Sequence, residues 1–395
     1  MPEIPLTRDT GTHARALGMG GAYVALSEDA GGLRYNPAGL ARVMRPEFSG
    51  SFTDISRRME TDFEGVRARA TLGRTHLTAL GFVYPFPTYR GSMVIAFGYS
   101  APALLDRDYV RRNYAGSAPA DAVSEEIFEE GQVGEWSFGY AVDVSPTLSL
   151  GLRASWVNGG RKQDWLYRDE NFDIHDFLDT DVRGFTGSLG AQTRIAQWGR
   201  AGLTVDLPRW LWIDGSVRDI PGEEAWTIDE DLTLPFSVAG GLSAAVQRLL
   251  LAADARYTDW TRIDYAGPLR YESGDRRRLA YRRTWNLHLG AEYLLDAVPS
   301  LGMRLRAGLA LEPVPYRVLL EEIGVGDDGY ARPLYREADF DPDRLTWTAG
   351  LGLLLQQSLT LDLAYARGGF KRSGVLLAEK ETEQRLLVSA AFRLN

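Results

Sequence analysis

The amino-acid sequence predicts an all-β fold: a 14-stranded antiparallel transmembrane β-barrel with an N-terminal hatch plugging the lumen. Three observations predict it. Segment after segment alternates apolar with polar or small residues, the period-two signature of a strand with two unlike faces. The segments reach roughly ten residues or more, the length a tilted membrane strand needs and longer than the ~5–6 of soluble strands. Connections alternate between very short and long, as in barrels whose tight turns lie on one side of the membrane and whose long loops lie on the other.

The last strand shows the alternation plainly. Leu386, Val388, Ala390, Phe392 and Leu394 share one face, and Leu387, Ser389, Ala391, Arg393 and Asn395 the other. Leu148, Leu150, Leu152, Ala154 and Trp156 oppose Thr147, Ser149, Gly151, Arg153 and Ser155 in the same way. Trp285–Tyr293, Leu301–Leu309 and Leu345–Leu353 repeat the pattern. Strands are expected at 46–56, 75–85, 91–101, 133–144, 147–158, 183–195, 199–207, 232–245, 248–258, 283–295, 301–312, 344–355, 358–367 and 384–394, an even number, as closure with both termini on the periplasmic side needs. Ser145-Pro146, Ala196 to Trp198, Gln247 and Gln356-Gln357 are the tight turns, and 102–131, 159–181, 208–231, 259–282 and 313–343 the long polar loops. Trp136, Tyr140, Trp156, Trp260, Tyr293, Trp347 and Tyr365 fall near strand ends, where interfacial girdles or ordinary aromatic packing would place them.

Composition agrees. The 395 residues are 45% hydrophobic, yet mean hydropathy is only −0.22, and no window approaches the ~18 consecutive apolar residues of a spanning helix. Lumen-facing polar residues lower the average without preventing barrel insertion. A net charge of −9 argues against nucleic acid, and the absence of cysteine fits an oxidising compartment. Met1-Pro2-Glu3-Ile4 has neither the basic start nor the apolar run of a signal peptide, so the expectation is a mature form carrying an added or retained Met.

Residues 1–44 alternate nowhere for long and are broken by Gly11, Gly18, Gly20, Gly21, Gly31, Gly32 and Gly39. They precede the first strand, so the expected division is a hatch over 1–44 and a barrel over 45–395. Enzyme motifs fail on inspection. Gly18-Met19-Gly20 has Tyr23 where a dinucleotide loop needs its third glycine, and there is no Gly-x-Ser-x-Gly, His-Glu-x-x-His or phosphate-binding loop. The four histidines are scattered. The acids around His175 suggest either a divalent-cation site or a solvated loop. The chain is therefore expected to be no enzyme and to hold no cofactor or metal.

The segment Ala14-Arg15-Ala16-Leu17-Gly18-Met19-Gly20-Gly21-Ala22-Tyr23-Val24-Ala25, with Glu28-Asp29-Ala30 and Tyr35-Asn36-Pro37-Ala38-Gly39-Leu40, resembles the hatch of the long-chain fatty acid transporter (FadL/TodX) family. Shuttle barrels of the type IX secretion system share that signature. Later motifs resemble the transporters more narrowly: Leu234-Pro235-Phe236, Asp254 with Tyr257-Thr258-Asp259-Trp260, Thr284-Trp285 leading to Leu289-Gly290-Ala291-Glu292-Tyr293, Leu305-Arg306-Ala307-Gly308, Pro313-Val314-Pro315, and Asp341 to Arg344 before Thr346-Trp347. The resemblance covers most of the chain in order.

It implies a monomeric barrel in the bacterial outer membrane, in contact with membrane lipid and lipopolysaccharide, that passes long-chain fatty acids or aromatic or aliphatic hydrocarbons. Ligand would be caught among outer loops, move to a lumen pocket, and leave sideways beside a kinked third strand. An apolar pocket opening into bilayer hydrocarbon gives such a solute a driving force that a water-filled channel lacks. The rival readings are a secretion-shuttle barrel that holds a protein partner, and a general diffusion porin.

Candidate site residues follow. Asn36-Pro37-Ala38 form either a rigid turn or a gate, since Pro37 restricts its neighbour and the Asn36 amide can tie down backbone groups. Gly98 with Ala101-Pro102 either kinks the third strand or simply ends it. By parity Arg153, Arg194, Arg256, Arg304 and Arg306 face the lumen, as do Asp254, Glu292, Glu312 and Asp362, so the arginines either meet a ligand head group or belong to a structural charge network. Ile4, Pro5 and Leu6 resemble the family's apolar N-terminal tip, and Tyr109, Tyr114, Ile127 and Phe128 could build the capture groove.

Overall fold

The computed structural model describes residues 11–115, 122–170, 173–219, 225–266, 279–298, 301–325, 331–337, 340–373 and 377–394. Ile4, Pro5 and Leu6 lie outside them. Fourteen strands close into one antiparallel barrel, because the first (Glu47–Phe63) pairs both with the second (Val66–Phe86) and with the last (Leu377–Arg393). The third runs in two pieces, Met93–Leu104 and Arg107–Arg112, followed by Ser124–Asp143, Leu148–Arg168 and Asp173–Ala196. The seventh (Gly199–Asp206, Arg209–Asp219) and eighth (Ala225–Leu234, Ser237–Val246) are each interrupted beside a proline, Pro208 and Pro235. Leu249–Asp259, Arg283–Val298, Leu301–Pro313, Phe340–Leu355 and Leu359–Ser373 complete the wall.

Each expected strand is present, and the alternation sorts their faces. Leu386, Val388 and Phe392 are 44–48% exposed on the outside, whereas Leu387 between them is fully buried against the lumen contents. The outward faces of the fifth and tenth strands (Leu150, Leu152, Trp156; Trp285, Leu287, Leu289) are exposed in the same way. A band of exposed leucine, valine and aromatic side chains around a closed ladder is the surface a bilayer requires. Aromatic residues mark its far edge. Trp136 faces Trp156 across the ladder, Trp156 faces Phe185, Phe185 faces Trp210, and Tyr257 faces Trp285. Ring centroids of Trp156 and Phe185 are 4.5 Å apart and those of Trp347 and Tyr365 5.5 Å apart.

Two expectations about the connections need correction. The stretches 102–131, 159–181 and 208–231 are not mainly loops: strands four to six run 20, 21 and 24 residues, far past the aromatic edge. Beyond the bilayer both faces meet water, so apolar alternation fades, while the backbone ladder (Arg161 opposite Thr180, Trp165 opposite Asp176) continues without it. Part of 313–343 is a hairpin as well, Tyr316–Val325 with Ala331–Glu337. The rhythm of tight and long turns also breaks at the far end of the first hairpin, which turns in two residues, Glu64 (φ 52°) and Gly65 (φ 82°).

The N-terminal segment lies inside the barrel near the end that carries the termini. Its helices, Ala14–Gly18, Gly32–Tyr35 and the 3₁₀ turn Pro37–Arg42, are too short to hold themselves. Inward side chains of the wall supply what they lack. Asp254 accepts the Tyr23 and Val24 amides (2.6 and 2.7 Å), Ser389 the Ala14 amide and Glu47 the Ala30 amide. Gln192 donates to the Ala25 carbonyl, Thr348 to that of Gly18 and Thr204 to that of Tyr35.

Close approach is possible because the wall is bare where the hatch touches it. A β-carbon on Gly290 would stand 2.5 Å from the Met19 carbonyl oxygen, and one on Gly308 would overlap the Gly20 backbone. Gly151 and Gly190 make the same room for Asn36 to Ala38.

Candidate ligand site and the break in the wall

Asn36 is the pivot of the hatch. It is fully buried; its Nδ2 donates to Val24 O (2.9 Å) and to Ala191 O of the sixth strand (3.1 Å), and its Oδ1 accepts the Ala38 amide (3.1 Å). All its hydrogen bonds go to backbone, and Pro37 and Ala38 pack behind it without exposure. This geometry is that of a bolt between hatch and wall.

The predicted arginines separate into two groups. Arg306 is completely buried beneath the hatch, donating to Glu292 (2.7 Å) and Asp362 (2.6 Å). Arg304 lies 3.9 Å from Glu292, and hatch residue Arg15 joins the same carboxylate at 3.3 Å. Buried charges persist only when paired and hydrogen-bonded, and this set anchors the hatch. Arg194 shares the inward face with its ladder partner Arg200, which meets hatch residue Glu28 at 2.7 Å, but it is exposed at the strand's end and apart from both groups.

Arg153 and Arg256 belong elsewhere. They line a cavity of about 180 Å³ between the hatch and the far half of the barrel, together with Arg209, Asp206, Pro102, Leu207, Leu234, Pro235 and Trp260. Glu135, wholly buried, accepts from Arg153 Nη1 (3.0 Å) and from Arg209. Asp206 accepts from Arg256, whose Nη1 also meets Ser237 Oγ at 2.8 Å, and lies 3.8 Å from Arg153. The Arg153 Nε is buried with no hydrogen-bond partner among the described residues.

Above this charged floor the lumen is apolar. Val133, Val157, Val182, Leu211, Leu232 and Leu234, one or two from each of strands four to eight, form a buried belt that Ile213, Trp260 and Ile263 extend. Charged floor and apolar belt together present an amphipathic site.

The third strand breaks beside that cavity. Its ladder with the second strand ends at Ala79 opposite Ser100, although pairing with the fourth strand resumes at Ala103 opposite Val133. Ala101 and Pro102 bulge between these points, as a missing ladder donor favours. Gly98 is not part of the break. It sits in register between Gly81 and Ser137, where a β-carbon would meet Leu33 of the hatch at 2.9 Å.

Past the break the strand parts from the second strand and turns inward, while it stays paired with the fourth. Ala101, Ala103, Leu104, Leu105 and Asp106 are at most 3% exposed. Arg57 of the first strand donates to the carbonyls of Leu104 (3.1 Å) and Asp106, and Thr61 Oγ1 to that of Val110 (2.6 Å). His76 of the second strand spans the opening: Nε2 meets Asp106 Oδ2 at 2.6 Å and Nδ1 meets Gln132 at 3.1 Å. Gln132 in turn bonds the Tyr99 hydroxyl (3.1 Å), and the Tyr99 ring covers Gly134. Farther out, Arg74 reaches Glu130 across the gap at 2.7 Å.

Tyr109, Ile127 and Phe128, expected on a loop, are on strands: Tyr109 pairs with Ile127 and is buried, while Phe128 lies under Arg74 on the fourth strand. Tyr114 follows the inward piece and lies within 6.0 Å of the Arg112 guanidinium.

No protein-family model and no curated protein matches the sequence. Solved structures do. A Pseudomonas aeruginosa FadL homologue superposes with a TM-score of 0.71 at 15% identity, covering 98% of this chain and 100% of its own. The chain has the FadL/TodX fold. The Pseudomonas putida toluene transporter TodX (TM-score 0.65, 13% identity, 98% and 99% covered) and the Ralstonia pickettii toluene transporter TbuX (0.63, 15%, 98% and 99%) share it. Parity could have found Glu135 and Asp206, which point inward, as outward Trp136 and Leu203 on the alternate positions show. No local signal marks His76, Tyr99, Gln132 or Asp106, which a bulge and an inward turn bring together.

Proposed function

We propose that the chain is a passive outer-membrane channel for hydrophobic molecules, of fatty acid or hydrocarbon type, which bind in the lumen and leave sideways. One observation carries this reading: an amphipathic cavity adjoins a break in the wall ladder, while the opposite way out is filled by a hatch seated on wall glycines. An axial path would require lifting the hatch off at least seven wall side chains that bind its backbone. The sideways path leaves those bonds in place. The apolar part of a ligand takes the belt of Val157, Leu211, Leu232 and Leu234, and a carboxylate head takes the Arg153, Arg209 and Arg256 side. Asn36, Pro37 and Ala38 act by fixing the hatch floor, and Pro102 by breaking the ladder.

The fold of neighbours named as a toluene transporter, TodX and TbuX, supports the same reading, and the small, charged lumen speaks against a general diffusion pore. The test is uptake of labelled oleate and toluene by cells that lack their own transporter and express this chain. Uptake that Leu211→Asp abolishes is expected. No uptake of either compound, with porin-like ion conductance in planar bilayers, would overturn the proposal.

A further inference from the structure

The belt is already occupied by the chain itself. Ala103 and Leu105 of the displaced third strand are buried among Val133, Val157, Val182, Leu211, Leu232 and Leu234, in the apolar space that the transport reading gives to ligand. That piece is a strand out of place. Among the described residues its partner edge on the second strand, Val66–Leu77, pairs with the first strand alone, so a place in the wall stands open for it. Its other edge stays paired with the fourth strand, and a handful of side-chain contacts stand in for the ladder to the second. Arg57 grips two carbonyls, Thr61 one, and His76 holds the Asp106 carboxylate.

We propose that Ala103–Asp106 is a built-in competitor for ligand, held in the apolar belt by the His76–Asp106 latch and displaced when a hydrophobic molecule loads. This rests on the transport reading and adds its regulation. Ligand binding is then weaker than the belt alone allows, by the fraction of time the segment is out of it. The latch also lies at the exit, because the other nitrogen of His76 meets Gln132, which bonds the Tyr99 hydroxyl inside the wall break. Loading the belt and loosening the side opening thus draw on the same contact.

The experiment measures equilibrium binding of radiolabelled oleate and toluene to the full-length, detergent-folded protein. Leu105→Ala shrinks the competitor, and His76→Ala removes the latch without touching the belt. Each is expected to bind probe about three- to tenfold more tightly than the natural sequence. Folding of each variant is checked by heat-modifiable mobility; if Leu105→Ala fails it, Leu105→Val takes its place. Unchanged or weaker binding in both variants, with measurable binding by the natural chain, overturns this proposal and leaves the transport reading intact. Tightening in Leu105→Ala alone overturns the latch. Binding by none of the three overturns the transport reading, and this proposal with it.

Discussion

Asn36 lies against the bare backbone of Gly190, with its amide oxygen where any β-carbon on that residue would stand. The same amide bonds Ala191 O, so one side chain both needs the gap and fills it. Gly190→Ala should therefore push the hatch off the sixth strand, at about 1–3 kcal/mol as for other overpacked sites. Limited proteolysis of the folded protein would show it as faster cutting near Asn36, with the barrel itself still resistant to heat.

Arg153→Leu should destabilise the barrel by about 3–5 kcal/mol, because it strips a buried partner from Glu135. The double variant Arg153→Leu with Glu135→Leu should recover much of that loss, since the pair is then removed together. Denaturant midpoints in detergent read both effects. Recovery of stability without recovery of oleate uptake would separate the structural role of Arg153 from its role toward ligand.

The outward face makes a different demand. Leu289 is 54% exposed in the middle of the tenth strand's apolar face. Leu289→Arg should lower folding stability in lipid vesicles by about 2–4 kcal/mol, the depth-dependent penalty of a cation facing hydrocarbon. In the far extension, Asp173 faces water and pairs with Arg168 at 3.0 Å with both side chains more than 60% exposed, so Asp173→Arg should change stability little.

Acid should loosen the hatch. Burial pushes the Glu28 carboxyl up, but Arg15 and Arg200, at 3.5 and 2.7 Å, outweigh it and hold it below its usual range. A carboxylate lowered on folding stabilises above its unfolded value and loses that contribution as pH falls through the folded one. Protease access to the hatch should thus rise as pH falls below the ordinary glutamate range. In Arg200→Gln the rise should begin at a higher pH, because one of the two cations is gone.

Much of this architecture was legible from residues alone, for a local reason. In a barrel every wall residue faces either lipid or lumen, so a single strand such as Leu386–Leu394 declares its two faces without reference to any partner. The hatch was legible by its failure to alternate and by its glycines. The outer extensions were not, since Arg161–Arg168 and Asp173–Thr180 pair through backbone without a sustained alternation of apolar and polar residues. Parity placed Arg153 and Arg306 in the lumen equally well and could not tell the ligand cavity from the hatch anchor. That distinction depends on height in the barrel, which register fixes and sequence spacing does not.

The sequence by itself determined a closed, plugged barrel and which side chains face inward, because period-two alternation is a property of each strand alone. Only the tertiary structure decided that the third strand parts from the second after Ser100, that Leu105 fills the apolar belt, and that His76 meets Asp106. Those facts depend on a two-residue bulge at Ala101-Pro102 and on side chains of the second, third and fourth strands meeting across it. No repeating pattern within any one strand encodes such a meeting.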